Sequence, residues 1–175
     1  MSDILKLSLN EIVKGIKKKN FKSEEVTKAF IENSKKSNKL NSYITECFDS
    51  AIKSAKDFDK KKDYKGLLAG VPIAVKDLFC TKNVKTTAGS KILHNFIPTY
   101  ESTVTSNLWS HGAFLLGKLN CDEFAMGSSN ETSFFGNVQH PIDKNLVPGG
   151  SSGGSSSAVA AQLTPVTIGT DTGGS

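Results

Sequence analysis

Ser151 and Ser175 are each framed by glycines, in Gly149-Gly150-Ser151-Ser152-Gly153-Gly154 and in Gly173-Gly174-Ser175. Glycine lets a backbone take positive φ and approach a bound molecule closely. A serine held in such a backbone is a candidate nucleophile, because neighbouring N–H groups can point at a developing oxyanion. A Gly/Ser linker is the bland alternative, but linkers have no reason to run on into AVAAQL and then VTIGTD. A Walker-type phosphate cradle ends in Gly-Lys-Ser/Thr, and no lysine follows Lys144. Gly149 to Gly153 formally matches the G-x-S-x-G nucleophile elbow. That elbow wants an acid and then a histidine after its serine, whereas His94, His111 and His140 all precede Ser151. Asp171-Thr172-Gly173 matches the aspartic-protease triplet, whose chemistry needs two such aspartates; the chain has a single DTG.

A serine without a usable histidine needs another base. Lys76 ends the apolar run Gly70-Val71-Pro72-Ile73-Ala74-Val75-Lys76. Burial at a strand end disfavours the charged amine and moves it toward a neutral base. Taken alone, the run favours a lysine that snorkels out of the strand end and pairs with Asp77. The serine-rich segment downstream reverses that balance.

The order Lys76, then Gly149 to Gly154, then Gly169-Thr170-Asp171-Thr172-Gly173-Gly174-Ser175 resembles the amidase signature family. The match is dense from about Leu67 to Ser175 and less specific before it. The resemblance implies a Ser–cis-Ser–Lys triad. Ser175 would form the acyl intermediate, Ser151 would bridge after a cis peptide from Gly150, and Lys76 would be the terminal base. It also implies an oxyanion hole from the N–H groups of Thr172, Gly173, Gly174 and Ser175, and substrate contacts at Ala125 and Gly127. Ser152, Ser155, Ser156 and Ser157 are expected to make loop hydrogen bonds or to cap a helix.

Within that family, Asp122-Glu123-Phe124-Ala125-Met126-Gly127-Ser128-Ser129-Asn130-Glu131 is similar to the glutaminase component of tRNA-dependent amidotransferases. The implied function is hydrolysis of glutamine to supply ammonia for converting Glu-tRNA(Gln) to Gln-tRNA(Gln), a ligase reaction. The implied assembly is a cytoplasmic heterotrimer with the B and C subunits of the amidotransferase. ATP would be used by the complex and no cofactor held by this chain, with tRNA handled mainly by the B subunit. Alternatives are a stand-alone amidase of the same family and a non-enzymatic nucleotide-binding module. Family members run for several hundred residues, so a chain stopping at Ser175 is expected to be inactive by itself.

Composition constrains these expectations. The chain has 175 residues, 37% hydrophobic, enough for one core. No apolar run approaches the ~20 residues of a membrane-spanning helix, and the first residues lack the pattern of a secretory signal. Cys47, Cys80 and Cys121 are widely spaced, which suggests a reducing compartment and no metal site. Asp122 beside Cys121 opposes thiolate formation, so Cys121 reads as a buried structural thiol. The net charge of +5 sits mostly in Lys17-Lys18-Lys19, Lys35-Lys36 and Lys60-Lys61-Lys62. These runs lack interleaved aromatics and read as solvated faces.

The elements that must position Lys76 and the serines follow from periodicity. Ser8 and Glu11 form a capping box for a helix carrying Leu9, Ile12, Val13 and Ile16 on one side. Ser23 starts a second helix with Val26, Ala29 and Phe30, and residues 49–58 a third. Leu67 to Val75 reads as a buried strand. Ser102 to His111 reads as a helix with Val104, Leu108 and His111 facing inward. Ala113 to Gly117 is the next strand, Ser155 to Leu163 a helix, and Pro165 to Gly169 a strand. The segment DFDKKKDYK is the expected exposed connection. The fold class is α/β, a mixed, partly parallel sheet flanked by helices. Residues 1–66 form an N-terminal helical region and residues 67–175 the first part of the amidase signature domain.

Overall fold

A computed structural model describes residues 3–175. Three helices lie in the first third of the chain: α1 (Leu9–Lys17), α2 (Ser23–Lys36) and α3 (Phe48–Lys61), with strand β1 (Tyr43–Glu46) between the last two. Then come β2 (Pro72–Lys76), α4 (Thr103–Ser110), β3 (Phe114–Leu119), α5 (Gly153–Ala160) and β4 (Thr167–Ile168). The strands form one four-stranded sheet in the order β1-β3-β2-β4. β2 runs parallel to both β3 and β4, and β1 is antiparallel to β3. The sheet is therefore mixed and partly parallel, as expected.

The helices begin where the sequence provides caps. The Ser8 hydroxyl accepts the Glu11 N–H at 3.3 Å, and the Glu11 carboxylate takes the Ser8 N–H at 2.8 Å. α2 is capped from outside itself: Asp59 of α3 accepts the N–H groups of Ser23 and Glu24, each at 3.0 Å. Ser23 is buried, and its hydroxyl donates to the Gly70 carbonyl at 2.5 Å, which ties α2 to the entry of β2. Ile12, Ile16, Val26 and Phe30 from the helices join Val71, Ile73, Val75, Leu116 and Leu119 in one core. All five residues of β2 are buried, so both of its faces are covered.

Five local expectations differ from the structure. β1 lies in a stretch read as helical; it forms because pairing with β3 satisfies its backbone, which no local pattern announces. β2 starts only at Pro72, and Leu67 is exposed in the turn that precedes it. α3 continues through the charged segment to Lys61, since Phe58 holds it against Tyr64 edge-on and against Gly70. On α4, Val104 and His111 are exposed, and Thr105 is the buried residue. α5 begins at Gly153 and not at Ser155, and its first two residues are glycines in tight places: a Cβ at Gly153 would collide with the Asn130 side chain and one at Gly154 with the Asn120 carbonyl oxygen.

Candidate functional site

β2 delivers Lys76 into the interior, where its side chain is fully buried. Its Nζ lies within hydrogen-bond distance of three hydroxyls: Ser151 Oγ at 2.5 Å, Thr170 Oγ1 at 2.7 Å and Ser152 Oγ at 3.0 Å. The partners come from two segments. Ser151 and Ser152 immediately precede α5, which packs on β2, β3 and β4. Thr170 follows β4, whose parallel pairing of Ile168 with Val75 carries it to the same end of β2. Burial pushes the Lys76 amine below its usual range, against the pull of Cys121, Asp122 and Asp171. A lysine whose direct partners are hydroxyls has no adjacent carboxylate to fix its charge, which suits a proton acceptor.

Ser151 is buried, and the Gly150–Ser151 peptide is cis. The place before Ser151 has no space for a side chain: a Cβ on Gly150 would collide with Asp122 Oδ2. The Ser151 carbonyl accepts the Asp122 N–H at 3.2 Å. Ser152 does not cap α5. Its hydroxyl instead takes the Lys76 ammonium and the Thr170 N–H, and donates to the Thr170 carbonyl at 3.0 Å. Ser156 and Ser157 make the expected loop bonds, to the carbonyls of Pro148 and Gln139.

Ser175 is placed differently. The N–H groups of Gly174 and Ser175 converge on one oxygen of Asp171, at 2.6 and 3.2 Å. Among the described residues, no hydrogen bond joins the Ser175 hydroxyl to Ser151 or Lys76. Thr172, Gly173 and Gly174 are exposed. Ala125 and Gly127 flank a turn built on Asp122: the Ala125 N–H donates to the Asp122 carbonyl at 2.9 Å, and Gly127 backs onto the Asp122 carboxyl group. Cys121 is buried, with its thiol pushed up to about 12 by burial.

Several residues of this region escaped the sequence. Asp77 does not pair with Lys76. It pairs with Lys118 at 3.2 Å, both side chains fully buried, and also accepts the N–H and hydroxyl of Thr87. Lys118 further donates to the Phe79 carbonyl and the Thr86 hydroxyl. A lysine inside the apolar run FLLGKL was the available signal. Thr170 and Asp122 gave none, since their roles exist only once distant segments meet. No group of acidic, histidine or cysteine side chains able to hold a metal occurs among the described residues. A cavity of about 510 Å³ lies elsewhere, at the start of α3 by Cys47 and Lys85, and includes neither Lys76 nor Ser151.

The Amidase family profile matches residues 25–175, which include every contact of this cluster. The chain belongs to the amidase family. It is 73% identical, over its whole length, to the A subunit of glutamyl-tRNA(Gln) amidotransferase from Pelagibacter ubique (strain HTCC1062), and covers 36% of that protein. The crystal structure of the same-named protein from Thermotoga maritima is similar with a TM-score of 0.73 and 32% identity, covering 92% of this chain and 33% of the other. Fatty acid amide hydrolase is similar with a TM-score of 0.93 and 29% identity, over 99% of this chain and 31% of the other. This amidase chain thus spans about a third of the length of the relatives it matches.

Proposed function

We propose that the chain carries the amide-cleaving centre of the glutaminase component in a tRNA-dependent amidotransferase. The observation that carries this reading is the 2.5 Å hydrogen bond between the buried Lys76 amine and Ser151. In this mechanism Ser175 attacks the side-chain amide carbon of glutamine. Ser151 passes the proton to neutral Lys76, which later returns it to the leaving ammonia. The N–H groups of Thr172, Gly173, Gly174 and Ser175 stabilise the oxyanion. In the structure two of these amides converge on an Asp171 oxygen, so in this mechanism the substrate oxygen takes the place of that carboxylate oxygen. Ala125 and Gly127 contribute to the substrate loop. Residues 67–175 supply the centre, and the described residues before them add helices α1 to α3 and strand β1 of the same sheet.

Ammonia then serves a ligase reaction in a cytoplasmic heterotrimer with the B and C subunits, in which ATP and tRNA are handled mainly by the B subunit and no cofactor is held here. Identity favours this branch over a stand-alone amidase: 73% to the Pelagibacter protein, against 29% to fatty acid amide hydrolase. Among the described residues, no helix is long and apolar enough to cross a membrane. The test is Ser175→Ala in the full-length protein with its partners. Glutamine-dependent amidation should disappear, while amidation supported by added ammonia persists. Glutamine-dependent turnover by the variant would overturn the assignment.

A further inference from the structure

Asp122 is fully buried, yet it bonds in four directions. One carboxylate oxygen accepts the Asn130 N–H at 2.9 Å; the other accepts the Thr132 N–H at 3.2 Å and the Thr132 hydroxyl at 2.9 Å. Its own N–H holds the Ser151 carbonyl and its carbonyl holds the Ala125 N–H. Two glycines press on the same carboxyl group: a Cβ on Gly150 or on Gly127 would collide with one of its atoms. One side chain therefore fills the space between the Ser151 peptide and the turn at residues 125–132.

We propose that Asp122 is a positioning residue for the Lys76–Ser151 pair, fixing the Ser151 peptide and the turn at residues 125–132 in one register. Three donors converge on its carboxylate, and none has another acceptor at hand. An amide in its place presents N–H to N–H on one side, so that side of the turn must part from the Ser151 peptide. Asp122 also adds a negative charge to the surroundings of Lys76. Cys121 and Asp171 act on the same amine, while the Lys118–Asp77 pair beside them is internally compensated.

The catalytic arm of the test rests on the glutaminase reading; the spectroscopic arm does not. With lysine labelled at Cε, the Lys76 resonance (identified by its loss in Lys76→Ala) is titrated in the full-length protein and in Asp122→Asn. The Lys76 midpoint should fall in the variant, and the amides of Asn130 and Thr132 should exchange faster. Glutamine hydrolysis should drop about 100-fold, the scale of a misplacement near 1 Å, with the acid limb of its pH profile moved to lower pH. Thr132→Val removes one anchor and keeps the charge. It should lower turnover by a few fold with the Lys76 midpoint unchanged, and it decides the matter if Asp122→Asn does not fold. An unchanged Lys76 midpoint with unchanged amide exchange in Asp122→Asn, or parental turnover in both variants, would overturn the proposal. Absence of glutamine hydrolysis in the parent protein would instead sink the glutaminase reading and leave the titration to decide on Asp122.

Discussion

Two lysines reach the interior on adjacent strands, with Val75 of β2 opposite Lys118 of β3, and both are completely buried. Their surroundings differ in the groups that meet the amine. Lys118 meets a carboxylate, a carbonyl and a hydroxyl. Lys76 meets three hydroxyls. Burial lowers the amine's pKa in both, but Asp77 opposes the shift at Lys118 by direct contact. Burial likewise raises Asp77, against the pull of Lys118. A contacting carboxylate makes a lysine a structural cation; hydroxyl partners leave it free to exchange its proton. Burial is common to both lysines, and the partner chemistry separates them; the proposed mechanism uses the one without a contacting carboxylate.

The contrast breaks first at activity. Lys76→Arg keeps a positive charge but cannot accept a proton. It should reduce glutamine hydrolysis by about 10²–10⁴-fold, the usual worth of a general base, nearly as much as Lys76→Ala. Substantial turnover by the arginine variant would make Lys76 a fixed charge, like Lys118.

Stability should respond in the opposite order. Lys118→Met strands Asp77 without its counter-charge and should cost about 3–5 kcal/mol in urea unfolding. Lys76→Met removes only hydroxyl contacts and should cost about 1 kcal/mol. Equal losses would mean that both lysines are structural.

The pH dependence of unfolding sharpens the same point. The Lys76 amine has a lowered pKa in the fold. Below that folded value its buried charge weakens the native state, and the penalty lifts as pH rises toward the ordinary lysine value of ~10.4. Between these limits the parent should gain stability relative to Lys76→Met. A flat difference across alkaline pH would mean that Lys76 holds an ordinary proton affinity.

The smallest effect separates two threonines. Thr86 accepts from Lys118 and Thr170 from Lys76. Thr86→Val should cost about 1 kcal/mol of stability and leave turnover intact. Thr170→Val should lower turnover while leaving the unfolding midpoint close to the parent. The reverse pattern would interchange the two centres.

What the sequence by itself determined was local. The Ser8–Glu11 capping box, the apolar stripes of α1 and α2 and the apolar run into Lys76 are all local patterns; α1 and α2 formed where theirs stood, and β2 formed from Pro72, inside its run. The glycines around Ser151 announced tight backbone, and a cis peptide is found there. The tertiary structure decided the partners. β1 exists because β3 offers it an edge, and Asp77 faces Lys118 because parallel β2 and β3 are in register there. Thr170 reaches Lys76 only through the β2–β4 pairing, and Ser152 became a bridge because that pairing placed the Thr170 backbone within its reach. Asp122 acquired its role from a turn and a glycine loop distant in sequence. A side chain's chemical type is written in the sequence, but whether its charge is met by a carboxylate or by a hydroxyl depends on long-range pairing, which single-residue patterns do not encode.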